Sequence, residues 1–243
     1  PARPITRRVA MARTPSRMVT AAAAAVATAA AAAAAAIAAP TAGNCGTFAA
    51  VGGAVRMPAT AAAASDGWVA GTYFNKRALM FKPNGGGGVD PPGSGLLHYT
   101  FRADVAGTYN VVLRSNAPHV TEHNDVWVRV GGGGSMFKGT PNNLAVVSLT
   151  DEWVKLYQNT GGDRWHVGGV TKDHDGHKVL TRPLEAGEEL TVTLSGRSSR
   201  YAIADVMAVV CDPKRSSCGS GWAPYDAMVA DSFSSRCTRC ARQ

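Results

Sequence analysis

Ala106–Arg114 (AGTYNVVLR) and Val126–Val130 (VWVRV) are two alternating runs flanking a polar stretch, and that pattern leaves little choice of fold. Tyr109, Val111 and Leu113 recur at every second residue, as do Val126, Val128 and Val130. A period of two puts each set on one face of a β-strand and makes no continuous stripe on a helix. Between the runs lie His119, Thr121, Glu122, His123, Asn124 and Asp125. A stiff strand framework therefore presents a loop crowded with donors and acceptors, which suits recognition of a hydroxyl-rich ligand.

The rest of the body repeats this grammar. From Gly46 to Asp212, short runs rich in Val, Leu, Thr, Tyr and Trp are separated by Gly, Pro, Asn and Asp, with no amphipathic helical stretch. Strands are predicted at Leu97–Ala103, Thr108–Arg114, Val126–Val130, Val154–Tyr157, Lys178–Thr181, Glu189–Ser195 and Ala202–Val210. Their spacing predicts an all-β fold, a two-sheet β-sandwich of the jelly-roll kind. The expected organisation is a signal segment at 1–43, a sandwich at 44–212 and a Cys-containing tail at 213–243.

The ends of the chain point to export. Five arginines and no acidic residue fall within residues 1–18, and an alanine run, Ala21–Ala39, follows, broken only by Val26, Thr28 and Ile37. Basic, then apolar, then small residues is the layout of a secretory signal. An uncleaved membrane anchor and an organelle transit peptide are the alternatives. The same arginines explain the formal charge of +8: five of those charges sit in this segment and the tail from Cys211 adds a net two, leaving the body nearly neutral. A nucleic-acid binder concentrates its cations on the folded domain, so nucleic acid is not an expected partner. Of five cysteines, Cys45 precedes the body and Cys211, Cys218, Cys237 and Cys240 follow it. In an exported chain this placement reads as disulfides stapling the domain's ends, with a four-cysteine zinc site as the weaker alternative. The odd count raises disulfide-linked self-association or attachment to an extracellular-matrix partner.

Several motifs fail on context. Gly85–Gly88 and Gly131–Gly134 are not followed by Lys-Ser or Lys-Thr opening a helix, which excludes a P-loop. His119-x-x-Glu122-His123 matches a zinc-peptidase pattern, but that chemistry needs a helix, and Asn124-Asp125 leads straight into a strand. Asp173-His174-Asp175-Gly176-His177 starts like a calcium loop without its distal ligands, and reads as a solvated turn.

The residues expected to bind ligand are His119, Glu122, His123, Asn124, Asp125, Trp127, Trp165 and Arg197. Carboxylates, amides and imidazoles complement vicinal hydroxyls, and Trp165, in a Gly- and Asp-bounded stretch, is the first choice for stacking on a sugar ring. Trp68 and Tyr73 are weaker candidates of that kind, and Trp153 reads as packing at a strand start. Arg197 has the fork to grip an acidic sugar's carboxylate, or to close a structural salt bridge. For Asn124 and Asp125 the alternative is capping the turn, and for Trp127 it is core packing.

The order of these pieces resembles the galactose-binding-like β-jelly-roll carbohydrate-binding modules, close to families 6 and 35. The segments that carry it are Gly95–Ser115, Thr121–Val130, Trp165–Gly169 and Leu184–Val210. Within them Arg114, Trp165, Leu184–Leu190 and Ile203–Asp205 stand where that family has a strand-ending Arg, a Trp, a hydrophobic–Gly–hydrophobic strand and a terminal strand with Ile-x-Asp. The resemblance implies carbohydrate as partner and admits calcium as a cofactor. Two departures stand out. Ala54–Ser65 lacks the family's acidic calcium ligands, and Tyr201-Ala202 replaces the Asn common in the last loop. The expectation is a secreted, non-catalytic carbohydrate-binding module. Its alternatives are an extracellular structural protein assembled through cysteines and a glycan-active hydrolase or lyase using Glu122.

Overall fold

The computed structural model describes residues 45–64, 66–83, 88–137, 146–160, 162, 164–171, 178–212, 223–230, 232–233 and 235–240. The alanine-rich N-terminal segment, Gly85–Gly87, the 173–177 run and Cys218 lie outside them.

Strands dominate: β1 (Cys45–Ala49), β2 (Ala54–Pro58), β3 (Trp68–Tyr73), β4 (Lys76–Phe81), β5 (Leu96–Arg102), β6 (Thr108–Asn116), β7 (Asp125–Val130) and β8 (Gly134–Phe137) come first. They are followed by β9 (Val146–Leu149), β10 (Val154–Tyr157), β11 (His166–Gly168), β12 (Lys178–Thr181), β13 (Glu189–Ser195), β14 (Ala202–Cys211), a short helix α1 (Ala223–Val229) and β15 (Cys237–Cys240). One sheet has six strands in the order β10-β7-β13-β5-β1-β15; the other runs β3-β4-β14-β6-β12-β8-β9, with β11 added to β6 and β2 to β14. The pairings are antiparallel except β1 with β5. This is the expected two-sheet β-sandwich, and all seven predicted strands are present.

The alternation predicted from sequence builds the core. Leu97, Tyr99 and Phe101 of β5, Val126, Val128 and Val130 of β7, and Leu190, Val192 and Leu194 of β13 point inward from one sheet. Tyr109, Val111 and Leu113 of β6 meet them from the other, with Ile203, Val206 and Ala208 of β14. In β14 the inward step from Ile203 to Val206 spans three residues because a bulge shifts the register between Ile203 and Asp205. The extra residue re-aims the strand and leaves Asp205 on the outer face.

β14 is apolar on both sides for a reason the alternation alone does not give. Its outward Met207 and Val209, with Val112 of β6 and Ala54 of β2, form a second buried cluster with Met228 of α1. A strand covered on both faces reads as a continuous apolar run. The C-terminal residues thus contribute a covering helix, and they also contribute a strand. β15 pairs with β1, placing Cys45 opposite Cys240 and Phe48 opposite Cys237. Neither Cys211 nor Cys237 is a free thiol.

Candidate functional site at the loop end of the sandwich

Four connections cross between the sheets at one end. β6 finishes at Asn116 opposite Ala202, where β14 begins; β7 begins at Asp125 opposite Tyr157, where β10 finishes. β5 begins at Leu96 opposite Ser195, where β13 finishes, and β11 begins at His166 opposite Ser115. The described residues of the 82–95, 117–124, 158–165 and 196–201 connections therefore share a rim.

Buried polar groups bind these connections together. Asn124, 2% exposed, donates its side-chain amide to Val120 O (2.7 Å) and Asn159 Oδ1 (3.1 Å), and its backbone carbonyl accepts from Gln158 N (2.8 Å). Gln158 donates to Ser115 O and Arg164 O while accepting from Thr160 N. Asp125, also 2% exposed, receives Arg197 Nη1 at 2.5 Å and the Ser198 hydroxyl. The Arg197 carbonyl in turn accepts from Asp90 N. Tyr201 is wholly buried beside Ser115, and burial raises its phenol above the ordinary range, so it stays a neutral hydroxyl. Gly196 is needed here for close approach: a Cβ would lie 1.9 Å from Phe81 Cε2.

Above this sewn layer is an open pocket of about 520 Å³, lined by His119, Glu122, His123, Ser199, Arg200 and Gly88 among others. His123 and Arg200 adopt left-handed backbone, with φ of 53° and 65°, a conformation non-glycine residues hold only when their surroundings dictate it. His123 Nδ1 is buried and makes no hydrogen bond among the described residues. The Glu122 carboxylate and Arg200 guanidinium are exposed and carry no hydrogen bond or ion pair to another described side chain. Val89 and Val120, 53% and 45% exposed, sit beside the lining residues Gly88 and His119 in sequence and add apolar surface.

Three of the eight expected residues, His119, Glu122 and His123, thus meet in one pocket. Asn124, Asp125 and Arg197 are instead consumed in the layer beneath, the turn-capping and salt-bridge alternatives of the sequence reading. Trp127 lies on the outer face of the six-stranded sheet, its indole donating to Asp90 O at 2.9 Å. The Lys155 ammonium and Arg197 guanidinium lie 5.6 and 5.3 Å from its ring centroid, so cations occupy the surface a sugar would use. Trp165 is half-buried on the 158–165 connection and donates to Phe74 O at 3.1 Å.

That bond leads to residues the sequence reading missed. Phe74 and Asn75 form the tip of the β3–β4 hairpin with φ of 46° and 64°, the paired left-handed geometry of a tight hairpin turn. A phenylalanine there costs about 1–2 kcal/mol relative to glycine, yet Phe74 stays 45% exposed. The tip therefore presents one exposed aromatic, and its backbone carbonyl holds the half-buried Trp165 indole. Tyr73 folds back instead, its hydroxyl donating to Val69 O, and Trp68 is core, with its ring 5.1 Å from Phe81. Ser199 and Arg200 were also missed. The polar run Gly196–Arg200 between two apolar strands was the available signal.

No helix forms over His119–Asn124, which removes the geometry of the zinc-peptidase pattern. Among the described residues no group of three or more His, Cys, Asp or Glu is placed to hold a metal ion.

No protein-family model and no curated protein matches the chain. Solved structures similar to it include carbohydrate-binding modules of families 35 and 6. A family 35 module from Clostridium thermocellum shares 11% identity at a TM-score of 0.39, over 65% of this chain and 98% of that one. The C-terminal family 6 module of a marine laminarinase from Zobellia galactanivorans shares 13% identity at 0.37, over 64% and 98%. A Podospora anserina β-(1,4)-mannanase of the GH26-CBM35 type shares 16% identity at 0.36; the match covers 66% of this chain and 28% of that protein.

Proposed function

We propose that the loop end binds carbohydrate, and that the protein acts outside the cell as a binding module without turnover. The observation that carries this reading is the pocket itself. A carboxylate, a guanidinium, a hydroxyl and two imidazoles line it above a layer in which Asn124, Asp125 and Gln158 are hydrogen-bonded to their neighbours. Paired donors and acceptors of this kind match vicinal hydroxyls. Trp165 on the 158–165 connection, and Phe74 at the hairpin tip whose carbonyl its indole meets, supply apolar surface for the C–H face of a pyranose. Glu122 is the one carboxylate lining the pocket among the described residues, whereas glycoside hydrolysis by the common route uses two. The basic and then alanine-rich N-terminal composition supports export.

The test is retention of the full chain on immobilised plant, fungal and algal polysaccharides, with and without chelator, alongside an assay for released sugar. Saturable, reversible retention with no sugar released is the expected result. Absence of retention on every polysaccharide, or steady release of reducing ends, overturns the proposal.

A further inference from the structure

His119 performs a task that rarely falls to histidine. Its Nδ1 lies 3.2 Å from the backbone nitrogen of Thr121 and 3.1 Å from that of Glu122, with the Thr121 hydroxyl at 3.2 Å. Backbone N–H groups only donate, so Nδ1 must accept. A neutral imidazole has one ring hydrogen, which then sits on Nε2. Accepting from the amides two and three residues onward is what Asn, Asp, Ser and Thr do when they close turns and cap helices. Any of those shorter side chains would fold this loop. What imidazole adds is a second nitrogen, on a side chain that lines the pocket.

We propose that His119 is the positioning and specificity-determining residue of the loop-end site: its neutral Nε2–H form folds the 119–124 loop and offers the ligand one fixed donor, and protonation of this ring dissolves both. The inference rests on the reading of this end as a carbohydrate site. Protonation places a hydrogen on Nδ1, where it meets the two amide hydrogens that had been donating to that nitrogen; the Thr121 hydroxyl can turn to accept from the ring, but the amides cannot. A contact of attraction becomes one of repulsion, and the loop has to open. The ligand atom facing His119 must therefore be an acceptor, such as a hydroxyl or ring oxygen of a sugar.

Other charged groups around the ring do not supply the same switch. Glu122 and His123 come from its own loop and Arg200 from the β13–β14 turn, while among the described residues the β4–β5 connection contributes Gly88 to the lining. Below, Asp125 and Arg197 are already paired. Of the two pocket histidines, only His119 accepts hydrogen bonds from the loop's own backbone in the described structure.

The experiment follows the His119 ring nitrogens and the Thr121 and Glu122 amides by NMR on the full chain from pH 8 to pH 5, in wild type and His119→Asn. Asparagine retains an acceptor for the two amides but has neither the second ring nitrogen nor a titrating charge. The expected result is an Nε2–H tautomer at pH 8, with both amide signals moving at the same midpoint as the ring in wild type and staying still in His119→Asn. Retention on the polysaccharide held most tightly at pH 8 should fall about tenfold or more by pH 5 in wild type, the loss of one to two hydrogen bonds. In His119→Asn retention should be several-fold weaker at pH 8 and unchanged at pH 5. An Nδ1–H tautomer, amides that ignore the ring, or a wild-type pH dependence in His119→Asn overturns the inference. If no polysaccharide is retained at any pH, it is the carbohydrate reading that fails, and the tautomer and amide signals still decide whether the lock exists.

Discussion

Two buried aspartates, one at each of two regions, show how this molecule separates stability from recognition. Under α1, Asp205 lies between Arg56 (Nε at 2.9 Å) and Arg114 (Nε at 3.6 Å). The same arginines donate to the carbonyls of Val229, the last residue of the helix, and of Ala230 and Phe233 just past it, where cations are favoured. At the loop end, Asp125 holds Arg197 and Ser198 in the same buried manner. The regions differ in what lies above. Over Asp205 the chain closes and the charges face only protein; over Asp125 the chain stays open, and Glu122, Arg200 and the histidines face the pocket. Charge alone did not mark the site. Charge left unused by the fold did.

The strongest way to break this comparison is Asp205→Ala, which strands two arginines in a site closed by α1. Unfolding in urea should show a loss of about 3–5 kcal/mol, with earlier protease cleavage at 229–235. A loss under 1 kcal/mol would mean that the clamp is ornamental. Asp125→Ala should cost about 3 kcal/mol and abolish polysaccharide retention together, because the layer supporting the pocket goes with it. Glu122→Gln is its counterpart: unfolding should stay within about 0.5 kcal/mol of wild type, while retention weakens. If Glu122→Gln destabilises as Asp125→Ala does, the division between the two layers is wrong.

Smaller effects sharpen the site. Trp165→Ala should weaken binding about tenfold, as loss of an anchoring aromatic commonly does. Phe74→Asn should pull in opposite directions, stabilising the hairpin by roughly 0.5 kcal/mol because asparagine tolerates left-handed backbone, while weakening retention. Matching signs would show that the strain at Phe74 serves packing alone. The smallest expected effect lies in an exposed pair away from both regions. The Arg182 guanidinium holds the Glu188 carboxyl below the usual carboxylate range. Its contribution is therefore complete above the ordinary glutamate pKa and fades as pH falls through the lowered one. The pair is exposed, so Glu188→Gln should shift the thermal midpoint slightly, and 1 M salt should erase the shift.

Much of the fold could be read from single strands. β5, β6, β7 and β13 carry strict alternation, and the predicted ranges differ from the observed ones by at most two residues at either end. β3 and β4 were passed over because Val69, Ala70, Thr72 and Arg77 are exposed, so no apolar period marks the hairpin. β11 is three residues long and β15 finds its partner almost two hundred residues away, and neither fact leaves a local trace. At the site, His119, Glu122 and His123 were visible as a polar loop. Arg200 and Phe74 were not, because nothing in their neighbourhood says that a turn 80 residues on lines the same pocket, or that a hairpin tip 45 residues back meets Trp165.

Period-two patterning by itself determined that this chain forms sheets, which side chains enter the core, and that a polar loop hangs between two core strands, since those depend only on each strand's own residues. Which polar groups the loop leaves open was settled by tertiary structure alone. Asp125 and Glu122 are both acids in one loop; only the arrival of Arg197 and Ser198 from another strand's end satisfies the first and leaves the second to meet a ligand.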